Sequence, residues 1–292
     1  MRKLAIVLLG ILFLFPQQSL ANEQENYIAL GDSLAAGQTP YTQIDAGYTD
    51  LIALQLKRFG KLANFSKELS FPGYRVKEVM ESIESPQAKH LLEEATLITI
   101  SAGANNLLPL ISHKATAGTL TFNQLSANFA LNEVRVQMKE LLSQVQNKAP
   151  NANVYVIGYY FPYTSVHKEQ KNGAANALKK LNTILEQVAH EAGANFVDVY
   201  HLYDEGAAQF LPNVSDVHPN QQGYRIMANA MLAMYSEGPN LQLAKEDMPA
   251  PNPLTFEEIL KMRQAIFKEY SPENGVVTVI HSHSKKPIPI IA

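Results

Sequence analysis

A serine stands at a point of the chain where catalytic residues of α/β proteins collect. Ser33 lies within Gly-Asp-Ser-Leu-Ala-Ala-Gly at residues 31–37, directly after the apolar, strand-like run Tyr27–Leu30. Ligands of open α/β sheets bind outside the carboxyl ends of the strands. Because serine is a poor nucleophile unaided, such a site also needs a base and donors for an oxyanion. A Gly-Asp-Ser sequence alone is usually a turn, so the other segments of the chain decide between the two interpretations.

Three further segments carry groups that complete an acyl-transfer site. Gly73 lies in the stretch 70–74, where the missing Cβ lets a backbone N–H approach a ligand. Asn105 lies in the stretch 102–106, and its amide can donate to a developing oxyanion. His218 is followed by Pro219, a residue that favours the first turn of a helix and so places the histidine at a helix entrance. Each segment follows a predicted strand or opens a predicted helix.

These four segments, in this order, resemble the GDSL, or SGNH, family of serine esterases and lipases over roughly residues 26–236. The resemblance implies a three-layer α/β/α sandwich with a flavodoxin-like, mainly parallel five-stranded sheet. It implies Ser33 as the nucleophile and His218 as the general base that takes its proton and returns it to the leaving group. It also implies an oxyanion site made by the backbone N–H groups of Ser33 and Gly73 and the side-chain amide of Asn105. We expect no cofactor and no metal.

The chain departs from the family pattern at two positions. Asn106 stands where the family usually has an aspartate, so that position keeps its hydrogen-bonding capacity but loses its charge. The family's acid usually lies three residues before the histidine, where this chain has Ser215. We expect Asp216, two residues before His218, to orient the imidazole ring. The alternative is that a backbone carbonyl orients the ring and Asp216 only caps the helix.

Strand-like and helix-like stretches alternate from residue 26 to about residue 236, which favours a parallel sheet with helices on both faces. The candidate strands are Asn26–Leu30, Leu62–Phe65, Leu97–Ser101, Val154–Gly158 and Asn195–Val199. The third and fourth are dense in valine, isoleucine and leucine with few polar interruptions, as is typical of central strands that are covered on both faces. Helical spacing relates two sets of apolar residues: Leu125, Phe129, Leu131, Val134, Met138, Leu141 and Val145, and then Leu178, Leu181, Leu185 and Val188.

The residues that follow the third and fourth strands are candidates for substrate contacts. Leu107 and Leu108 follow Asn105, while Tyr159 and Phe161 follow the fourth strand at the same edge of the sheet. Together they can line an apolar trough for an acyl chain, with residues 112–122 as a flap; alternatively, the leucines simply begin a buried helix. An acyl ester or a lysophospholipid fits such walls. The alternatives are a carbohydrate O-acetyl esterase and a non-catalytic glycan-binding module, although a pure binder has no need of Ser33 with His218.

The N-terminus has the pattern of a secretory signal. Basic residues at positions 2 and 3 precede the apolar run Leu4–Phe15, and small residues at positions 19 and 21 mark a cleavage site after Ala21. A run of this length spans about 18 Å as a helix, which is short for a membrane span, although an uncleaved anchor is the alternative. We therefore expect a secreted protein. The chain has no cysteine, which excludes disulfides, thiol catalysis and zinc–thiolate sites.

The remainder divides into a hydrolase domain at residues 22–237 and an appendage at residues 238–292. The sequence of the appendage predicts a proline-rich linker at 248–253, a helix behind the capping pair Thr255 and Glu258, and a short strand, Val276–Ile280. We expect it to pack on the main domain. His281 and His283 have no third ligand nearby in the sequence, so we expect no metal there.

Charge and hydropathy exclude two kinds of partner. The formal net charge of −3 gives no electrostatic case for binding nucleic acid or an anionic membrane. No apolar run beyond the signal is long enough to span a bilayer. The expected partner is therefore a small-molecule or lipid ester substrate, and the sequence leaves the oligomeric state open.

Overall fold

A computed structural model describes residues 24–204 and 207–269 of the 292-residue chain. The described residues form seven strands: β1 (Glu25–Gly31), β2 (Leu62–Ser70), β3 (Leu97–Ser101), β4 (Ile111–Lys114), β5 (Thr119–Phe122), β6 (Asn153–Ile157) and β7 (Asn195–Val197). Five of these strands pair in the order β2-β1-β3-β6-β7, and every pairing is parallel. Strands β4 and β5 form a separate antiparallel hairpin.

Helices cover both faces of this sheet. The described helices are α1 (Ser33–Ala36), α2 (Tyr48–Arg58), α3 (Val76–Ile83), α4 (Pro86–Glu93), α5 (Ala104–Leu107), α6 (Gln124–Lys148), α7 (Lys168–Glu191), α8 (Ala207–Phe210), α9 (Gln221–Tyr235) and α10 (Phe256–Glu269). Helices α2 and α9 pack against each other, whereas α6 packs against α3, α4 and α7. The predicted three-layer α/β/α sandwich with a parallel five-stranded sheet is confirmed.

The burial of the strands explains which of them the sequence revealed. Strand β3 is central, all five of its residues are buried, and its bounds match the predicted ones. Strand β2 was predicted to end at Phe65 but runs to Ser70. It lies at the sheet edge, where polar side chains are tolerated: Lys67 donates to Asp50 at 2.7 Å. Polar residues in an edge strand therefore hid its second half.

The first turns of α6 correct one prediction. Leu125 and Phe129 were expected on the buried face, but they are 67% and 71% exposed. The buried stripe at this end instead begins at Ala127 and continues through Leu131. Residues two apart on a helix point to nearly opposite sides, so both large side chains face away from that stripe.

The segment after α9 lies against the main body. Leu241 and Leu243 belong to the main hydrophobic core. Farther along, Leu254 exchanges two backbone hydrogen bonds with Ile44, at 2.7 and 2.8 Å. The helix predicted behind Thr255 is present as α10. The predicted signal at residues 1–21, the predicted strand Val276–Ile280 and the pair His281 and His283 lie outside the described residues.

None of the described helices combines the length and the apolar character that crossing a bilayer needs.

Candidate active site

Ser33 is held at the junction between β1 and α1. Gly31 ends the strand at φ +142°, and a Cβ there would lie 2.2 Å from the carbonyl oxygen of Ser101, so only glycine fits. Asp32 caps α1 by accepting from the Leu34 N–H at 2.9 Å. The turn makes Ser33 the first residue of the helix, at the carboxyl edge of the sheet.

His218 reaches this serine from a position 185 residues away in the chain. Its Nε2 lies 2.7 Å from the Ser33 hydroxyl oxygen. The segment before α9 is held from the sheet side, because the Tyr160 hydroxyl donates to the Val217 carbonyl at 2.7 Å. Asn220 caps α9 by accepting from the Gly223 N–H. The histidine is therefore fixed on both sides. Pro219 was predicted in the first turn of the helix, but α9 begins at Gln221 with Asn220 as its cap, so Pro219 precedes the helix.

Asp216 contacts both the backbone and the ring of His218. Its Oδ1 accepts from the His218 backbone N–H at 2.7 Å and lies 2.6 Å from Nδ1. The first contact is an Asx turn, in which an aspartate binds the backbone two residues on. The second places the ring proton on Nδ1, which leaves the Nε2 lone pair facing the serine. The Asp216 carboxylate thus has the ring contact that the first of the two alternatives requires.

A second carboxylate, Asp32, lies buried directly beside Ser33. Besides capping α1, it accepts from the Tyr159 hydroxyl at 2.7 Å and from the Ser101 hydroxyl at 3.1 Å. Burial raises the pKa of Asp32 above its usual value, although these hydrogen bonds partly offset the shift. Burial likewise raises the pKa of Tyr159 well above its usual value, so its hydroxyl stays protonated as the donor. These contacts hold the turn that precedes Ser33.

The predicted oxyanion donors lie on neighbouring turns. The turn that contains Gly73 is joined to the end of β1, because the Phe71 N–H donates to the Gly31 carbonyl at 3.0 Å. Gly73 has φ +87°, and nothing lies within 4 Å of the place where its Cβ would be. Asn105 donates through Nδ2 to the Tyr74 carbonyl at 2.9 Å. The amide nitrogen carries two N–H groups, so one remains for a ligand.

Asn106 has a different function in the same turn. It is buried, and its side-chain oxygen accepts from the Val76 N–H, the first residue of α3, at 3.4 Å. An uncharged amide is sufficient for this contact. The departure from the family pattern at this position therefore leaves a structural hydrogen bond in place.

An apolar cleft opens beside Ser33 and His218. All four residues predicted as substrate contacts line it: Leu107, Leu108, Tyr159 and Phe161. Asn105 also lines it, whereas Gly73 is not among its lining residues in the described part of the chain. A mostly apolar cleft with a few polar groups at one end is typical of a site for small ligands.

Sequence reasoning missed the wall of the cleft that α7 provides. Ala174, Ala177, Leu178 and Leu181 line this wall, although the sequence interpretation placed the two leucines only in the core. The signal was present as Ala174 and Ala177, two small residues three apart and therefore on one helix face with Leu178 and Leu181. The predicted flap at 112–122 is the hairpin β4–β5, which packs on Tyr163 and Ala174 through Leu120.

The described residues contain no group of three histidine, aspartate or glutamate side chains that could hold a metal ion. The polar groups that converge on the cleft are instead a hydroxyl, an imidazole, a carboxylate and an amide. This set is suited to proton transfer and nucleophilic attack.

Comparisons with known proteins agree on one fold. The goat rumen metagenome lipase Lip_vut3 matches with a TM-score of 0.57 and 19% identity over 71% of this chain and 95% of that chain. Phospholipase A1 from Streptomyces albidoflavus matches with a TM-score of 0.51 and 18% identity over 73% and 99% of the two chains. A catalytic mutant of the acetylxylan esterase Axe2 from Geobacillus stearothermophilus matches with a TM-score of 0.52 and 15% identity over 72% of this chain and 93% of that chain. At these identities the likeness shows the fold alone.

The family assignment comes from a separate comparison. No curated protein sequence matched the chain. The GDSL-like lipase/acylhydrolase family model matches residues 29–226, which is more than half of the chain and contains Ser33, Asn105 and His218. The chain therefore belongs to the GDSL-like lipase/acylhydrolase family of serine ester hydrolases.

Proposed function

We propose that the protein cleaves carboxylic esters through an acyl-enzyme on Ser33. The observation that carries this proposal is the continuous chain of contacts from Ser33 Oγ to His218 Nε2 at 2.7 Å and from Nδ1 to Asp216 at 2.6 Å. These distances lie within the range for a nucleophile, its base and the group that orients the base. Ser33, His218 and Asn105 all line the apolar cleft.

The reaction follows from these positions. As Ser33 Oγ attacks the ester carbonyl, its proton passes to Nε2 of His218, and the imidazolium is stabilised by Asp216. The carbonyl oxygen becomes an oxyanion, for which the N–H groups of Ser33 and Gly73 and the Asn105 amide are the donors. Collapse breaks the bond to the alcohol, which leaves with the proton from His218. Water, activated by the same histidine, then releases the acid.

The cleft supports an acyl ester, lipid or lysophospholipid-like, as the substrate. Its walls beyond the catalytic end are leucine, alanine and aromatic side chains, which favour a hydrocarbon chain over a sugar. Two proteins of the same fold, Lip_vut3 and the Streptomyces albidoflavus enzyme, are a lipase and a phospholipase A1. Axe2, an acetylxylan esterase of that fold, represents the competing acetyl-ester specificity.

The experiment compares wild type with Ser33→Ala on p-nitrophenyl esters from acetate to palmitate, beside acetylated xylan and lysophospholipid. We expect acyl esters to be hydrolysed by wild type and not by Ser33→Ala. Equal rates for the two proteins would contradict the proposed mechanism. Hydrolysis of acetylated xylan alone would assign the chain to the acetyl-ester specificity.

We also propose that residues 1–21 direct export and that cleavage follows Ala21. The proposal rests on the basic start, the short apolar run and the small residues before the cleavage point. Expression with the intact N-terminus and N-terminal sequencing of the exported protein tests it. A mature chain that begins at Asn22 supports the proposal, and a chain retained in the membrane with Met1 present contradicts it.

A further inference from the structure

One face of α7 lines the cleft, and Leu181 lies at the end of that face near the catalytic residues. A Cβ added to Gly103 would lie 3.2 Å from Leu181 Cδ1, and Gly103 precedes the Asn105 turn by two residues. Leu181 therefore lies beside the segment that carries an expected oxyanion donor. Leu178, Ala177 and Ala174 follow on the same wall toward the start of the helix.

Toward the other end of the cleft, the hairpin β4–β5 packs on α7, and its first residue, Ile111, lines the cleft. The Leu120 N–H donates to Gln170 Oε1 at 2.9 Å, which fixes the hairpin to the first turn of α7. A Cβ on Gly173 would lie 3.4 Å from Phe122, so hairpin and helix are in van der Waals contact one residue before Ala174. Ala174 itself packs with Leu120 and Tyr163 in a small cluster separate from the main core.

The distance between these two ends predicts a chain length. Leu181 and Ala174 are seven residues apart, which is about 10 Å along an α-helix. Carbon–carbon bonds of about 1.5 Å at near-tetrahedral angles advance an extended chain by about 1.25 Å per carbon. The wall therefore matches an acyl chain of about eight carbons. Ala177, four residues from Leu181, lies about five carbons along it.

We propose that α7 determines which acyl-chain lengths the cleft accepts, because Ala177 and Ala174 set the depth of the cleft. The preferred substrates are then esters of medium-chain fatty acids. This inference rests on the proposed function, since the ester carbonyl must lie at Ser33. The two alanines are buried and line the cleft, so their small side chains leave room that a larger side chain would fill.

The experiment measures kcat/KM on the p-nitrophenyl ester series for wild type, Ala177→Leu and Ala174→Leu. We expect wild type to be most active near octanoate. Ala177→Leu should lower kcat/KM about tenfold or more for acyl chains longer than butyrate. Ala174→Leu should lower kcat/KM only for chains longer than octanoate, because each new side chain blocks the cleft at its own depth. The acetate rate of each variant serves as the reference for its own chain-length profile.

Two further variants control this result. Ala175→Leu makes the same change one residue away, at a position that does not line the cleft, and should leave the profile unchanged. Leu178→Ala removes bulk from the wall and should raise activity on long chains relative to octanoate, which keeps the test available if a leucine variant fails to fold.

The outcomes separate the two proposals. Identical chain-length profiles for wild type, Ala174→Leu and Ala177→Leu, with Ser33-dependent activity on acetate, would overturn the role of α7 alone. Acetate hydrolysis that persists in Ser33→Ala would overturn the proposed function itself.

Discussion

At the scale of residues, the Asx turn at Asp216 explains how an acid two positions before the histidine can take the place of one three positions before it. The same oxygen accepts from the backbone and lies against the ring of His218. The backbone contact folds the chain so that the side-chain contact becomes possible. Sequence spacing alone therefore left the acid open, since the family pattern points to Ser215 and only the turn geometry brings Asp216 to Nδ1.

Asp216→Asn should lower kcat by roughly 10⁴-fold while leaving KM nearly unchanged. Asparagine keeps an acceptor for the backbone N–H, but it no longer holds the ring in the required tautomer or stabilises the imidazolium. Steady-state kinetics on a p-nitrophenyl ester checks this. A decrease of only a few-fold would mean that the carboxylate serves the helix entrance and not the ring.

Asp32→Asn should become more stable relative to wild type as pH rises above about 4. Because the folded pKa of Asp32 is raised, the native state binds its proton more tightly than the unfolded chain does. The free energy of unfolding of wild type therefore falls as pH rises from the pKa of Asp32 in the unfolded chain to its pKa in the folded protein. At higher pH it stays lower by the cost of the buried charge. Urea denaturation of both proteins at several pH values measures the difference. A difference that is constant with pH would contradict a raised pKa.

At the scale of elements, the site is held together by contacts that cross the whole sheet. Asn182 on α7 binds the backbone of Tyr159 twice, accepting from its N–H at 2.9 Å and donating to its carbonyl at 2.7 Å. Tyr159 in turn donates to Asp32, which caps the helix that begins with Ser33. Helix α7 therefore supports the serine through Tyr159, in the segment after β6, and also forms one wall of the cleft.

Asn182→Leu should destabilise the protein by about 2–4 kcal/mol, since it leaves two buried backbone groups of Tyr159 without their partner. Asn176→Leu is the matched control, because it makes the same change at an exposed site on the same helix and should cost no more than about 0.5 kcal/mol. Urea denaturation measures both. Equal free energies of unfolding for the two variants would contradict this role, because water or another group would then replace the Asn182 side chain at Tyr159.

The elements also show where sequence reasoning succeeds and where it stops. The fully buried strand β3 and the turns with Ser33 and His218 were predictable, because local composition and motif determine them. The hairpin β4–β5 was not, since its stability depends on packing against Tyr163 and Ala174, which come from distant parts of the chain. The partners of Asp32 were hidden for the same reason: Tyr159 is 127 residues away.

At the scale of the whole molecule, the segment after α9 is part of the packed body for at least its first stretch. Leu243 is buried, and Asn229 on α9 both donates to its carbonyl and accepts from its N–H. Farther along, the Asn252 N–H donates to the Asp45 carboxylate, next to the bridge between Leu254 and Ile44. The predicted boundary at 237/238 therefore lies before residues that the core uses.

Removal of residues 239–292 should lower stability by about 3–6 kcal/mol more than removal of residues 249–292. The longer deletion takes away Leu241 and Leu243, and burial of each leucine is worth about 1.5–3 kcal/mol. Thermal or urea unfolding of the two truncated proteins provides the comparison. If both truncated proteins unfold at the same temperature or urea concentration, the two leucines contribute nothing to the stability of the core.

The identity of the nucleophile is tested most directly by covalent labelling. Wild type, Ser33→Ala and His218→Ala are treated with a fluorophosphonate, and the adducts are located by mass spectrometry of the digested protein. We predict one adduct on Ser33 in wild type, none in Ser33→Ala, and greatly slowed labelling in His218→Ala, because the base must accept the serine proton. An adduct on any other residue, or hydrolytic activity in a wild-type protein whose Ser33 stays unlabelled, would contradict the account.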